Sequence, residues 1–409
     1  MKQKEKNPVS VVLVGMAGMG QSYLEILLEG FPQEEVEIQS VVEPFPERSA
    51  YAEELKDRGI PVLESISQMY EGGRSPDLVV VCSPIHHHVS QTSFALEQGS
   101  RVLCEKPIGA TIQDAELLIK ATEIADLWVM LGYQWSYSRA IQTLKSDVKS
   151  GKFGKPIRLK TLCFWPRDEA YYKRNDWAGK IKDARGKWVL DSPANNAMAH
   201  FLHNLFYILG DKLDGCALPS EVTAELYRTY PIENYDTVVC RAFTREGVEI
   251  LFYASHTTSD DLGPMFAFEF EQATITYGEV ADDIIAKDHK GSTKHYGSPE
   301  AEHPLRKLFE AVETIREPKA ILCGPEASVG QTLCMNGMQE SVSAILDFPD
   351  SRINSDPECG RRWVKGLLQE LQDCYRRGIL PSEAKRDWAR PGKPVNLKNY
   401  HRFPVGEIA

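Results

Sequence analysis

Residues Val9 to Glu29 read VSVVLVGMAGMGQSYLEILLE. An almost wholly apolar, β-branched run ends at Gly15, small residues continue to Gly20, and Leu24, Leu27 and Leu28 follow at helical spacing. That order predicts a strand, a tight turn and a helix. The first N–H groups of such a helix lack intrahelical partners and carry the positive end of its dipole, so they suit a phosphate, and glycines let the backbone come close to it. Gly15, Ala17, Gly18, Met19 and Gly20 are therefore the candidate residues around a dinucleotide pyrophosphate. Gly15 and Gly20 fill the first and third places of the G-x-G-x-x-G pattern, and Ala17 fills the middle one.

A second apolar run, Val36 to Val42, ends in Glu43. An acid there accepts from the ribose 2′-hydroxyl and repels a 2′-phosphate, which argues for NAD over NADP; Arg48 nearby keeps NADP as the lesser alternative. With 409 residues, 42% hydrophobic and 26% charged, the composition is that of an ordinary globular protein long enough for two domains. The net charge of −11 and the lack of a basic run argue against a nucleic-acid partner. Lys2, Lys4 and Lys6 read as a solvated tail rather than as the start of a signal peptide, because the apolar run behind them flows into the glycine turn. No stretch of 18 successive apolar residues is present, so no membrane partner is expected. Nine cysteines without a C-x-x-C pair fit reduced thiols in a cytoplasm.

Strand and helix signals then alternate. A helix is expected from about Glu47 to Arg58, a short strand at Ile60–Leu63 and a helix near Ile66 to Glu71. The run Asp77 to Cys82 reads as a strand buried on both faces and stops at Ser83-Pro84. A helix from about His88 to Gln98 leads to a strand, Arg101 to Cys104, that ends at Glu105-Lys106-Pro107. Such alternation predicts an α/β fold with a doubly wound parallel sheet, whose ligands bind at the carboxyl ends of the strands. The turn after Gly15, Ser83-Pro84 and Glu105-Lys106-Pro107 should share one rim.

The run SPIHHHVSQTSFALEQGSRVLCEKPIG, behind the glycine turn, resembles the Gfo/Idh/MocA family of nicotinamide-dependent sugar and cyclitol oxidoreductases. Glu105, Lys106 and Pro107 carry the most specific part of the likeness, which continues through Ser150 to Pro156. The resemblance implies a Rossmann domain over residues 1–133 and a substrate-binding and oligomerisation α+β domain over 134–409, with an extension from about 350. It implies a cis peptide before Pro107 and a catalytic Lys106 that holds a substrate hydroxyl and favours loss of its proton. It also places Ser83, Pro84, His88 and Glu105 with the cofactor, His88 at the nucleotide end of its helix. Ile85 stands where the family commonly has asparagine.

The second candidate site is NNAMAHFLHNLFYILG, Asn195 to Gly210. His200 matches the position of the family's catalytic histidine. On a helix Asn196, His200 and His203 would share one face, and Asn196 stands where the family usually has aspartate. His200 is the expected general base, with Asn196 and His203 as orienting partners. His86 to His88 are adjacent and so point apart, and no ligand-spaced carboxylate or thiolate accompanies them, so no metal is expected. Trp165, Arg167, Arg174, Asn175 and Trp177 lie in an aromatic and basic stretch suited to the C–H faces and hydroxyls of a sugar, or to an acidic or phosphorylated one. With Tyr133 and His203 they are the candidate substrate contacts.

From Glu221 the pattern changes to strands with short connections, Glu221–Thr229, Thr237–Thr244, Val248–His256, Met265–Glu271 and Ala273–Tyr277, which predicts a mainly antiparallel sheet. Its open face would resemble the family's dimer-forming sheet, giving a homodimer or homotetramer. Helices near Pro304 to Ile315 and Ala327 to Phe348 follow, and an amphipathic stretch, Arg361 to Arg377, is expected to lie back on the cofactor domain or on a partner subunit. The resulting expectation is an NAD-dependent oxidation of a secondary hydroxyl of a sugar, cyclitol or glycoside. The alternatives are redox-neutral glycoside cleavage on retained NAD and a non-catalytic regulator.

Overall fold

The computed structural model describes residues 7–32 and 34–405; the cluster of Lys2, Lys4 and Lys6 lies outside them. The chain divides into two compact units. The first runs to Gly109 and adds Asp114–Tyr137 and Glu302–Glu326. A single cut after residue 133 therefore does not separate the units, because a segment far along the sequence returns to the first.

The first unit is built on β1 (Val9–Val14), α1 (Met19–Glu29), β2 (Val36–Val42), α2 (Ala52–Asp57), β3 (Val62–Leu63), β4 (Leu78–Val81), α3 (His88–Glu97), β5 (Arg101–Cys104), α4 (Ile112–Ala125) and β6 (Val129–Leu131). Its six strands lie in the order β3-β2-β1-β4-β5-β6, every neighbouring pair parallel. Val11, Val12 and Leu13 of β1 and all four residues of β4 are buried, as strands covered on both faces require. The helix expected over Glu47–Arg58 is shorter than its pattern. Pro46 starts a 3-10 turn that stops at Arg48, and the α-helix begins only at Ala52.

The second unit holds α5 (Arg139–Lys149), β7 (Pro156–Phe164), α6 (Glu169–Lys173), α7 (Ala199–Tyr207), β8 (Pro219–Arg228), β9 (Thr237–Thr244), β10 (Glu249–Ser255), β11 (Leu262–Phe270), β12 (Ala273–Tyr277), β13 (Ile285–Asp288) and β14 (Thr293–His295). The chain then gives α8 (Arg306–Arg316) to the first unit and returns with α9 (Pro325–Ser341), β15 (Leu346–Asp347), β16 (Ile353–Asp356), β17 (Arg361–Val364), α10 (Leu367–Arg377) and β18 (Val395–Asn396). The ten-stranded sheet runs β14-β13-β12-β11-β7-β10-β9-β8-β15, with β18 also on β8. It is mostly antiparallel; β7 with β10 and β8 with β15 are the parallel pairs.

The face expected to be open is covered by the chain itself. Leu162, Phe164, Tyr227, Val239, Leu251 and Tyr253 of the sheet form one buried cluster with Phe348, Leu367, Leu371, Cys374, Tyr375 and Trp388 of the C-terminal segment. Two basic residues on that face fasten α10 by its carbonyl end: Lys160 Nζ donates to Tyr375 O at 3.1 Å, and Arg241 Nη2 donates to Gly378 O at 3.1 Å. Cations at a helix C-terminus meet the negative end of its dipole. Arg241 is in turn ion-paired with Glu249 and with Glu383 of the same segment. The exposed edge of β8 is shared by β15 and β18. The C-terminal extension thus occupies the face in cis, and the amphipathic stretch finds its apolar partner in its own sheet.

Leu371→Asp places a charge in that cluster and should release α10, since loss of a buried leucine alone costs about 2–5 kcal/mol. The variant is expected to bind a hydrophobic dye and to gain mass by light scattering relative to the parent. Unchanged dye binding and mass would show that α10 is not what shields the face.

Candidate active site

One row of backbone hydrogen bonds ties the carboxyl ends of the parallel strands together. Glu43 N–H donates to Leu63 O, Gly15 N–H to Val42 O, Cys82 N–H to Val14 O, Glu105 N–H to Val81 O and Gly132 N–H to Cys104 O, all at 2.7–2.8 Å. The expected rim is therefore a single structural edge. Gly15 has φ +87°, and a Cβ on Gly20 would lie 2.1 Å from Gly15 O, so the turn accepts only glycine at its first and third places. Ala17, Gly18 and Met19 are exposed along it. Gly18 precedes α1 without a side-chain cap, and the first turn of α1 carries no acid. That combination leaves the helix N-terminus suited to an anion, so the residues present fit a dinucleotide pyrophosphate.

Glu43 lies at this turn: its carboxylate accepts from Met16 N–H at 3.2 Å and from Phe45 N–H at 3.0 Å. Arg48 stacks on Phe45 at 4.2 Å. Ser83 Oγ donates to Gln91, and Pro84 precedes the turn Ile85–His87.

The Lys106–Pro107 peptide is cis. Lys106 N–H donates to Glu105 Oε2 at 3.0 Å. Glu105 is buried, 6% exposed. It accepts from Tyr23 Oη at 2.8 Å and is paired with Lys307 of α8, which also donates to Gly132 O at 2.8 Å. Burial pushes the Glu105 carboxyl up, but the charges of Lys307 and Lys106 and the hydrogen bonds outweigh it and hold the group below its ordinary value. A Cβ on Gly132 would press on this carboxylate at 2.8 Å.

The ring nitrogens of His88 lie 2.7 Å from Pro107 O and 2.8 Å from Ser83 O. The side chain is buried and bridges two rim loops. Tyr133 is fully buried as well.

In the second unit His200 is the second residue of α7 and is almost fully buried. Asn196 lies in the turn before the helix rather than on it. Its amide donates to Asp191 Oδ1 at 2.7 Å, and Asp191 Oδ2 accepts from Gly179 N–H at 2.6 Å. Leu190, just before Asp191, has φ +50°, uncommon for a branched residue and typical of sites where backbone strain is held. Asp191, which the sequence reading did not single out, thus places a carboxylate in direct hydrogen bond with Asn196, five residues away in sequence.

His203 is buried and stacks on Tyr207 at 5.2 Å. Burial first, and then the charge of Lys145, push its pKa well down. Trp165 meets Phe201 edge to face at 5.3 Å. Asn175 Oδ1 accepts from Trp177 N–H and Ala178 N–H and so holds the local turn. Arg167 and Arg174 both lie over Tyr171, and Arg174 also lies over Trp177.

Three buried histidines give the fold an acid sensitivity. Burial lowers His88, His203 and His256 below the ordinary imidazole value, while it pushes Asp236 up to about 7. As pH drops below ~6.5 the unfolded chain takes up protons on these histidines more readily than the folded chain does, whereas the raised Asp236 works in the opposite sense. The three lowered histidines are expected to outweigh it, so stability falls as pH drops from ~6.5 toward 5. Urea midpoints at pH 7.5, 6 and 5 should decline in that order; a flat or rising series would contradict it.

A parallel sheet in this strand order, with a glycine turn at the end of β1 and an acid at the end of β2, defines a dinucleotide-binding Rossmann domain. Residues 9–133 match the model of an oxidoreductase family described as an NAD-binding Rossmann fold. The matched segment is similar to the NAD-binding domain of the Gfo/Idh/MocA oxidoreductases. The chain is 29% identical over 142 residues to the rhizopine catabolism protein MocA of Rhizobium meliloti, covering 35% of this chain and 43% of that one. It is 31% identical over 151 residues to inositol 2-dehydrogenase 1 of Saccharopolyspora erythraea, covering 36% and 44%. The matches span less than half the length of these curated relatives. The fold as a whole is similar to that of the WlbA dehydrogenase from Chromobacterium violaceum, solved with NADH and UDP-GlcNAcA. The TM-score is 0.68 at 20% identity, over 82% of this chain and 94% of that one.

Proposed function

We propose that this chain oxidises a secondary hydroxyl of a sugar, cyclitol or glycoside, with NAD as hydride acceptor. The observation that carries the reading is the single rim holding the glycine turn, Glu43 and Glu105, the residue before Lys106, in one hydrogen-bonded row of strand ends. NAD held along this rim would supply the hydride acceptor for oxidation of the carbinol carbon. Lys106 holds the hydroxyl and, by its charge, favours the alkoxide; His200 takes the hydroxyl proton. Asn196 cannot ionise, so it orients the base, and Asp191 fixes Asn196 in turn. Glu43 at the rim supports NAD over NADP. The free thiols support a cytoplasmic location. Among the described residues no helix is long and apolar enough to cross a membrane.

Self-association through the sheet face is not part of this proposal, because α10 and the segment after it already cover that face. The test of function is nicotinamide reduction across cyclitols, aldoses, sugar acids and glycosides. Reduction dependent on one class establishes the dehydrogenase. Glycoside cleavage with NAD unchanged would replace it by the redox-neutral reaction.

A further inference from the structure

We propose that Arg167 and Arg174, ranged about Tyr171, form the subsite for an oxyanion on the substrate, so that the chain acts on an acidic sugar bearing a carboxylate or phosphate. The inference rests on the reading of His200 as the base and adds the substrate's charge to it.

Tyr171 carries both guanidinium groups, Arg174 at 3.8 Å and Arg167 at 5.1 Å from its ring centre. Arg167 also lies 5.8 Å from Trp165, and Arg174 5.3 Å from Trp177. A guanidinium stacked on an aromatic face keeps its N–H donors at the edge of its plane, where they can fork onto an oxyanion. Each group spends one donor on a neighbouring carbonyl, Arg167 on Pro166 and Arg174 on Tyr171.

The local carboxylates are committed elsewhere. Asp168 caps α6 by accepting from Tyr171 N–H, and Glu169 pairs with Lys173 and Arg362. Asp191 lies 3.8 Å from Arg174 but already serves Gly179 N–H and Asn196. Arg174 is therefore partly balanced by Asp191 at 3.8 Å, and Arg167 is the guanidinium of the two that has no carboxylate partner among the described residues. The effect of the two charges is felt beneath them: His256, in edge contact with Tyr171, is held neutral by burial first and then by the charges of Arg167 and Arg174.

The patch is continuous with the proposed base. Arg174 reaches Asp191, Asp191 holds Asn196, and Asn196 opens the turn into α7 that carries His200. On the other side Trp165 packs on Phe201, the neighbour of His200. An oxyanion held by the two guanidiniums would thus be fixed on the surface that surrounds the start of α7.

The test is calorimetric binding to the full chain with NAD present, using D-glucuronate, D-gluconate, D-glucose 6-phosphate and neutral D-glucose. Acidic probes are expected to bind at least tenfold more tightly than glucose. Arg167→Met with Arg174→Met should weaken them by roughly 10- to 100-fold while leaving glucose unchanged, the range for a lost charge-assisted hydrogen bond. Glucuronate or gluconate outbinding the phosphate assigns a carboxylate subsite, and the reverse a phosphate subsite. Equal binding of acidic and neutral probes, no binding of any acidic probe, or unchanged binding in the double variant overturns the proposal. Charge-selective binding without nicotinamide reduction by any sugar would instead overturn the dehydrogenase reading and leave the subsite standing. Thermal melts of the double variant separate lost folding from lost binding.

Discussion

Replacing Lys106 by alanine is expected to lower turnover by at least about a thousandfold while NAD affinity stays within about threefold. The split follows from how the rim is held. Lys106 owes its backbone position to Glu105, whose N–H sits in the sheet row and whose carboxylate accepts the Lys106 N–H. Neither contact uses the Lys106 side chain. The alanine variant therefore keeps both backbone contacts and loses the cation to which the proposed reaction assigns the forming alkoxide, a charge that also helps hold the Glu105 carboxyl down. Single-turnover nicotinamide reduction and a fluorescence titration of NAD read the two quantities separately. Full turnover would remove Lys106 from the chemistry. Loss of NAD affinity together with turnover would mean that the side chain supports the rim rather than the reaction.

What the sequence made legible is what local pattern can encode. The glycine turn, the burial of β4, and strands such as β9 and β12 stand where alternation and turn residues put them. The resemblance added the cis peptide before Pro107, which alternation alone does not specify. What stayed hidden depends on partners far along the chain. Glu105 reads as a rim acid until Lys307, 202 residues away, is seen to neutralise it. His203 and Tyr133 look available at helical or loop positions, but packing buries both. The amphipathic pattern of α10 announces that something apolar lies beneath it, and cannot say that this is its own sheet. One signal was present: Lys160 and Arg241 interrupt the apolar alternation of β7 and β9, and those two residues grip the end of α10.

The second large effect is expected at the pair beneath the rim. Lys307 is 1% exposed and Glu105 6%, so Lys307→Met would leave a buried carboxylate with only Tyr23 and the Lys106 N–H as donors. Breaking one side of a buried pair costs about 3–5 kcal/mol, because the remaining charge cannot recover its hydration. The sign of the pH dependence follows. In the parent, Glu105 is held below its ordinary value, so its contribution is present above about pH 4.3 and is lost only as pH falls through the lowered value. Without Lys307 the carboxyl is raised instead, and the variant's deficit grows from pH 5 to pH 8. Pairing Lys307→Met with Glu105→Gln removes both charges and should restore much of the loss. Denaturant unfolding of the parent, both single variants and the double at those two pH values closes the cycle. A coupling below about 1 kcal/mol, or a deficit independent of pH, would show that the rim is held by strand pairing alone. A large coupling, with turnover in the double variant below that of the parent at equal folded fraction, would show that the charge on Glu105 positions Lys106 as well as anchoring the rim.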